Sequence, residues 1–129
     1  MTFDSDVLIW CLRGDPLAGR MVNAESDRAT SVVSLIELLQ GARSPAQLKT
    51  ARDFVTKLEI RVLPVTEIIG NRTLALIERH APGDGLQLGD ALIAATALEH
   101  DDTLFTGNVR HFRAIHGLKI KAFRHSGVH

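Results

Sequence analysis

Four acidic side chains lie where an alternation of strands and helices would place a reactive centre. Asp4 and Asp6 follow a short apolar segment at the start of the chain, Glu37 lies in a helical segment after a β-branched one, and Asp90 begins an alanine-rich helix. Clustered carboxylates repel one another unless a cation lies between them, and all-oxygen ligands select Mg²⁺ or Mn²⁺ over zinc. The pattern therefore predicts a site for one of these ions, if the strands that carry the acids are neighbours.

Each of these acids also has a purely structural interpretation. Asp4 and Asp6 are typical capping residues at a strand-to-helix junction, and Asp90 is suited to cap its own helix. Glu37 shares a helical stripe with Ser34, so a solvent-facing position explains it equally well. The joint placement of the four acids in a strand–helix framework favours a common site.

The elements that position these acids follow from hydrophobic periodicity and from capping and breaking residues. Strands that alternate with helices are typical of βαβ units and of a central, mainly parallel sheet. The predicted strands are Met1–Phe3, Ala29–Val33, Ile60–Leu63, Thr103–Thr106 and Lys119–Phe123. The predicted helices are Val7–Leu12, Leu17–Ala24, Ser34–Leu39, Gln47–Leu58, a helix from Thr66 that ends at Ala81–Gly83, and Ala91–Leu98. This order predicts an α/β fold, a three-layer α/β/α sandwich whose site lies at the carboxyl ends of the strands.

Size and charge narrow the class of protein. The chain has 129 residues, so we expect one domain that covers residues 1–129. Fifteen Lys and Arg balance fifteen Asp and Glu, which argues against a wholly basic nucleic-acid binder. Every acid lies at or before Asp102, and the basic residues after it are Arg110, Arg113, Lys119, Lys121 and Arg124. This split indicates either a basic surface beside the acids or a solvated basic tail.

The sequence also argues against membrane, secreted and redox proteins. No apolar stretch approaches the roughly 20 residues of a membrane span, and the N-terminus lacks the features of a signal peptide. We therefore expect a cytoplasmic protein without membrane association. The single cysteine, Cys11, cannot form an internal disulfide and lies in an apolar run, where a buried and inert thiol is expected.

Four segments resemble, in order, the motifs of PIN-domain proteins, and among these most closely the VapC toxins. The segments are Asp4–Trp10, Leu35–Leu38, Gly89–Leu98 and Leu104–Phe112. The last two are specific in combination, whereas two aspartates with one residue between them are a weak signal alone. The resemblance spans nearly the whole chain, and it implies a PIN-like form of the predicted sandwich.

The resemblance assigns roles to the four acids. Asp4, Glu37 and Asp90 match the three principal metal-binding acids of the family, which implies that they are also the catalytic residues. Asp6 matches a more variable position of the metal site. The implied cofactor is Mg²⁺, with Mn²⁺ as a substitute.

The last motif departs from the family pattern. Where many members have a fourth acid, this chain has Asn108 and, three residues on, His111, so we expect one well-bound Mg²⁺ and at most a weaker second ion. Thr106 and Asn108 can hydrogen-bond a phosphate, a water or an acidic neighbour, and Arg110 can contact a phosphate. These three are the candidate substrate-binding residues, although a plain turn explains Asn108 as well.

The resemblance implies a Mg²⁺-dependent endoribonuclease that acts as the toxin of a toxin–antitoxin pair. Its partners would be an RNA substrate, a small cognate antitoxin and a second copy of the chain in a homodimer. The helices Leu17–Ala24 and Gln47–Leu58 offer apolar stripes for docking or for core packing. Since the chain has no Tyr and 5% aromatic residues, we expect substrate choice to depend on RNA shape more than on base stacking.

Three other functions fit parts of the pattern. One is a housekeeping RNA-processing PIN nuclease, and another is a non-catalytic α/β interaction module whose acids only cap helices. The third is a receiver-like signalling domain, in which paired acids follow the first strand. A receiver requires an acceptor Asp at the end of its third strand, but here Leu63 is followed by Pro64, Val65 and Thr66, which argues against it.

Overall fold

Strands and helices alternate along residues 1–127, the part of the chain that this computed structural model describes. Its five strands are β1 (Thr2–Phe3), β2 (Ala29–Ser31), β3 (Arg61–Leu63), β4 (Leu104–Thr106) and β5 (Ile120–Ala122). Its seven helices are α1 (Ser5–Leu12), α2 (Pro16–Ala24), α3 (Val32–Gln40), α4 (Pro45–Lys57), α5 (Glu67–Asp84), α6 (Leu88–Glu99) and α7 (Val109–Phe112). The predicted α/β fold is confirmed. The predicted domain also includes Val128 and His129, which lie outside the described residues.

The five strands form one parallel sheet in the order β3-β2-β1-β4-β5. β1 is central, because Phe3 pairs with Thr30 on one side and with Phe105 on the other. The chain runs from β1 to one side of the sheet and later returns to the other side. The carboxyl ends of β1 and β4 therefore flank the topological switch point, where parallel α/β sheets bind their ligands.

The apolar core lies on both faces of the sheet. Phe105 of β4 packs in a cluster with Phe3 and side chains from α1 to α4, whereas its neighbour Leu104 packs in a second cluster with side chains from α5 to α7. Successive residues of a strand point to opposite faces, so the two clusters lie on opposite sides of the sheet. The predicted three-layer sandwich is confirmed.

β2 ends two residues earlier than predicted, because Ser31 begins the next helix. The Ser31 hydroxyl accepts a hydrogen bond from the backbone N–H of Ser34 at 3.0 Å, and this cap stops the strand. Val32 and Val33 are therefore helical despite their β-branched side chains. Glu37 consequently lies further into its helix than predicted.

α5 and α6 also differ from the predicted bounds. α5 continues through Pro82 to Asp84 and ends at Gly85, whose left-handed backbone (φ 67°) favours glycine. The helix thus extends beyond its predicted end at Ala81–Gly83. α6 begins at Leu88 rather than Ala91, which places Asp90 in its first turn.

The short helix α7 is absent from the sequence-based prediction. It follows the turn after β4, and its Phe112 is fully buried in the second core cluster.

The two apolar stripes that were candidates for docking are largely used in the core, since Ala18 and Val22 of α2 and Ala51 of α4 are buried. None of the helices in residues 1–127 is both long and apolar enough to cross a membrane.

Candidate active site

Asp4 lies directly after β1 and is both a helix cap and a buried acid. Its Oδ1 accepts a hydrogen bond from the backbone N–H of Ser5 at 2.7 Å, and its Oδ2 accepts one from the Thr106 hydroxyl at 2.7 Å. Only 4% of the residue is exposed. Burial raises the pKa of Asp4 and the nearby charge of Asp90 adds to this, although the two hydrogen bonds oppose it. The capping role and a role in the site are therefore compatible.

Thr106 is a positioning residue for Asp4. It ends β4, it is fully buried, and its hydroxyl also accepts a hydrogen bond from the backbone N–H of Asn108 at 3.0 Å. Of the partners that the sequence left open for this hydroxyl, the structure shows the acidic neighbour. Substrate binding by Thr106 stays a prediction, although its hydroxyl is buried and already paired with Asp4.

The other two candidate substrate-binding residues are exposed. Asn108 lies in the turn after β4 and precedes α7, but its side chain makes no capping hydrogen bond to that helix. Arg110 is exposed on α7. Their accessibility is consistent with substrate binding, which stays a prediction for both.

Asp6 reaches from the first turn of α1 to the loop after β4. Its Oδ1 accepts a hydrogen bond from the backbone N–H of Val7 at 2.8 Å, and its Oδ2 accepts one from the backbone N–H of Gly107 at 2.8 Å. A Cβ atom at Gly107 would lie 2.5 Å from Oδ2, so this approach requires glycine. Burial, followed by the charge of Asp4, raises the pKa of Asp6 to about 6. The role of Gly107 was not predicted from the sequence, although a glycine directly after a strand is a signal for such a close approach.

Glu37 and Asp90 approach the same centre from α3 and α6. Although much of the Glu37 side chain is exposed, partial burial raises the pKa of its carboxyl group, and the charges of Asp4 and Asp90 act in the same direction. A hydrogen bond with Ser5 opposes the rise. A Cβ atom at Gly89 would lie 3.8 Å from Glu37 Oε2, so the start of α6 is close to this carboxylate. The fold thus brings the predicted acids together.

The donor chemistry of this crevice fits a hard divalent cation. Its carboxylates supply oxygen atoms only, and the raised pKa values of Asp4, Asp6 and Glu37 show negative charge that burial leaves poorly compensated. Within residues 1–127, no group of three His, Cys, Asp or Glu side chains is arranged so that it could hold a metal ion as it stands. The acids therefore lie near one another without forming a ready-made set of metal ligands.

The sequence of this chain matches a known protein family over most of its length. A family model described as the PIN domain matches residues 1–118. The chain belongs to the PIN domain family. Ribonuclease VapC10 from Mycobacterium tuberculosis is 41% identical to this PIN domain over 121 residues, which cover 90% of this chain and 88% of the relative. Ribonuclease VapC19 from the same organism is 33% identical over 114 residues, 84% of this chain and 89% of the relative.

Solved structures show the same fold as this PIN domain. A toxin–antitoxin complex from Klebsiella pneumoniae contains a chain that is 28% identical, with a TM-score of 0.76, and the match covers 91% of this chain and 93% of that chain. VapBC2 from Rickettsia felis, bound to a DNA fragment from its promoter, matches with a TM-score of 0.79 at 18% identity and covers 95% and 98%. At that identity the second match supports the fold alone.

His111 of this PIN domain lies beside Asp90, in the region where many family members have a fourth acid and this chain has none. Its Nδ1 is 3.5 Å from Asp90 Oδ2, and 43% of its side chain is exposed. Of Asn108 and His111, the two residues found where the family has a fourth acid, it is therefore His111 that lies against an acid of the site. The sequence pointed to both positions but did not distinguish them.

The stability of this PIN domain without metal is expected to fall as the pH rises from about 4 to about 6. Asp4, Asp6 and Glu37 have raised pKa values, so the folded protein holds their protons more tightly than the unfolded chain does. Their stabilising contribution is complete below about pH 4 and is lost as they ionise. In thermal melts in EDTA, the midpoint should drop by on the order of 5 °C across this range.

Two other acids affect stability in the opposite direction, at a pH below that range. Burial would raise the pKa values of Asp15 and Asp102, but hydrogen bonds outweigh it and lower them, so these groups destabilise the protein only at more acidic pH. Asp6→Asn should flatten the slope between about pH 4 and 6, whereas Asp53→Asn, on an exposed face of α4, should leave it unchanged. A midpoint that rises steadily from about pH 4 to 7 would contradict the prediction.

Proposed function

We propose that this PIN domain is a Mg²⁺-dependent endoribonuclease and the toxin of a toxin–antitoxin pair. The observation that carries the proposal is the convergence of Asp4, Asp6, Glu37 and Asp90 at the switch point of the sheet, in a chain 41% identical to a ribonuclease. The ribonuclease activity rests on the named relatives, and the metal requirement rests on the donor chemistry of the crevice. The substrate is RNA, and cytoplasmic RNA is the expected target.

Each acid of the site, and Thr106 beside them, has a distinct proposed role. Asp4, Glu37 and Asp90 would hold the ion, and Asp6 would contribute to a weaker position. When bound, Mg²⁺ supplies activation of a water molecule and stabilisation of charge at the scissile phosphate. Thr106 holds the buried carboxylate of Asp4 in one orientation by its 2.7 Å hydrogen bond. This preorganisation is how a protein makes an ion effective without rearrangement during the reaction.

The proposed partner is a short antitoxin segment, because this chain resembles a chain of a toxin–antitoxin complex from Klebsiella pneumoniae. A groove of about 400 Å³ between α1, α3 and α4 offers apolar surface for such a segment, and its walls include Ile9, Leu12 and Leu38. An arginine of the antitoxin that reaches the crevice would pair with the carboxylates and compete with the metal. The crevice and the groove would then be covered together.

The proposed assembly also contains a second copy of the chain. Large apolar side chains are exposed on the loop before α5, on α5 and at the start of α6, namely Val65, Ile68, Leu74 and Leu88. Exposed apolar surface of this kind is typical of protein interfaces. Sedimentation of the purified chain, alone and with antitoxin, measures the state directly.

Expression of this chain alone is expected to arrest bacterial growth within a few generations, and co-expression of the neighbouring small open reading frame should restore growth. The physical reason is that the antitoxin covers the acid crevice and excludes RNA. RNA extracted from arrested cells should show discrete cleavage products. Normal growth with well-expressed, folded protein would instead favour the housekeeping nuclease, and intact RNA with no metal binding would favour a non-catalytic module.

A further inference from the structure

A small cleft adjoins the acid crevice and has no role in the site described above. It has a volume of about 320 Å³ and is lined by Asp6, Gly107 and Asn108 on the side of the acids. Trp10, Arg124 and His125 line it as well. The cleft therefore joins an acid of the proposed metal site to aromatic and cationic side chains.

Two of the aromatic rings in this cleft already form a stack. The rings of Trp10 and His125 are nearly parallel, with an interplanar angle of 16° and 3.9 Å between their centroids. His125 is exposed, and the Arg13 guanidinium lies 5.6 Å from the centroid of the Trp10 ring. A flat, partly exposed aromatic stack beside arginine side chains is the kind of surface on which nucleobases stack.

The C-terminal segment that carries His125 is held at a defined place. Asp15, of which 1% is exposed, accepts hydrogen bonds from both the backbone N–H and the hydroxyl of Ser126. On the other side of His125, Phe123 is buried and packs edge-to-face on Phe105 at 5.5 Å between centroids. His125 is thus fixed from both sides, and the cleft is a built feature of the fold.

We propose that this cleft is a nucleobase subsite for single-stranded RNA. A base of the nucleotide next to the scissile phosphate packs against the exposed side of the Trp10–His125 stack that faces this cleft, while Arg124 and Asn108 contact its sugar–phosphate and base edge. This inference rests on the proposed ribonuclease function and adds a part of the substrate that the acid crevice does not bind. The small volume suits one planar base rather than a helix of a protein partner.

The stack also changes the expectation that few aromatic residues are available for base binding. Trp10 and His125 are far apart in the sequence, and only the fold brings them together beside Asp6. The subsite makes cleavage depend on an unpaired base at one position. Stacking alone tolerates every base, so the subsite selects single-stranded RNA rather than one sequence.

The fluorescence of Trp10 provides a direct test, because it is the only tryptophan and the chain has no tyrosine. The probe is an adenosine ribohexamer, titrated in Mg²⁺ into the Asp90→Asn variant so that cleavage does not interfere. The control probe is a hexamer of abasic ribose phosphates with the same charge. We expect saturable quenching by the adenosine hexamer and less than about a tenth of that change with the abasic one.

Variants measured with a fluorescein-labelled adenosine hexamer complete the test. The double variant Trp10→Leu/His125→Ala should weaken binding by about tenfold or more, the effect expected for losing one base–aromatic stack. His125→Phe preserves a flat ring and should bind within about twofold of the parent. The matched control is His116→Ala, an exposed histidine in a different cleft, which should also bind within about twofold. Thermal melts establish that each variant is folded.

Three results would overturn the subsite. Equal quenching by the abasic hexamer shows that only phosphates bind, and unchanged affinity of the folded double variant shows that the stack is not used. Quenching by an antitoxin peptide but not by RNA assigns the cleft to the protein partner. The proposed function is tested by a different result: it would be wrong if the wild-type protein did not cleave RNA. The quenching of Trp10 fluorescence by RNA is measured independently of cleavage.

Discussion

Asp90→Asn is expected to reduce RNA cleavage by about 100-fold or more while the protein stays folded. The amide keeps the shape of the side chain but removes a charge that helps to hold the ion, and several kcal/mol of lost charge stabilisation corresponds to that factor. Asp90 also adds to the repulsion around Asp4 and Glu37, since its charge raises both of their pKa values. The midpoint of thermal unfolding in EDTA should therefore be unchanged or higher than that of the wild type.

The matched control is Asp53→Asn, which removes the same charge from an exposed ion pair with Lys49 on α4. Exposed pairs of this kind contribute little to the free energy of unfolding, so both activity and stability should stay near wild type. Asp4→Asn and Glu37→Gln should be as severe as Asp90→Asn, and Asp6→Ser the mildest of the four. Wild-type cleavage by folded Asp90→Asn in Mg²⁺ would show that the site is assigned wrongly.

Removal of divalent ions is expected to abolish cleavage, and Mg²⁺ or Mn²⁺ should restore it, whereas zinc should not. All-oxygen donors bind hard ions. Burial, together with the neighbouring carboxylates, disfavours the ionised forms of Asp4 and Asp6, and a bound cation offsets this cost. The same binding should stabilise the fold. At a metal concentration about 100 times the Kd, the unfolding midpoint should rise by about 10 °C.

Two measurements separate binding at this site from general effects of salt. Asp90→Asn should show a much smaller rise of the midpoint in Mg²⁺ than the wild type, while Asp53→Asn should show the full rise. The pH dependence in EDTA should largely disappear in saturating Mg²⁺, because the ion keeps the carboxylates ionised in the folded state. Full cleavage of RNA in EDTA would rule out a metal-dependent mechanism.

Most of the architecture could be predicted from the sequence because its signals are local. Capping residues such as Asp15, Ser44 and Thr66 mark helix starts, and each accepts the expected backbone hydrogen bond. The boundaries that were wrong depend on competition between local preferences. At Ser31 a helix cap prevails over the β-branched residues that follow, and Pro82 lies within α5 although it was expected to end that helix.

The candidate acids could be chosen from the sequence, but their partners could not. Residue type and position after predicted strands were enough to select Asp4 and Asp6. The donors that hold them, the Thr106 hydroxyl and the Gly107 backbone N–H, lie about a hundred residues away and contact them only because β4 is the neighbour of β1. Strand order is a property of the whole packed sheet, so no local signal specifies these hydrogen bonds.

The sequence by itself determined the fold class, the succession of strands and helices along the chain except α7, and the four candidate acids, because periodicity, capping and residue type are properties of short segments. The tertiary structure alone decided that Thr106 is buried against Asp4, that His111 faces Asp90, and that Trp10 stacks on His125. These contacts join segments distant in the chain. They form because the packing of helices on both faces of one sheet brings the ends of β1 and β4, the start of α6 and the C-terminal segment to the same edge. That packing depends on the whole core rather than on any one segment.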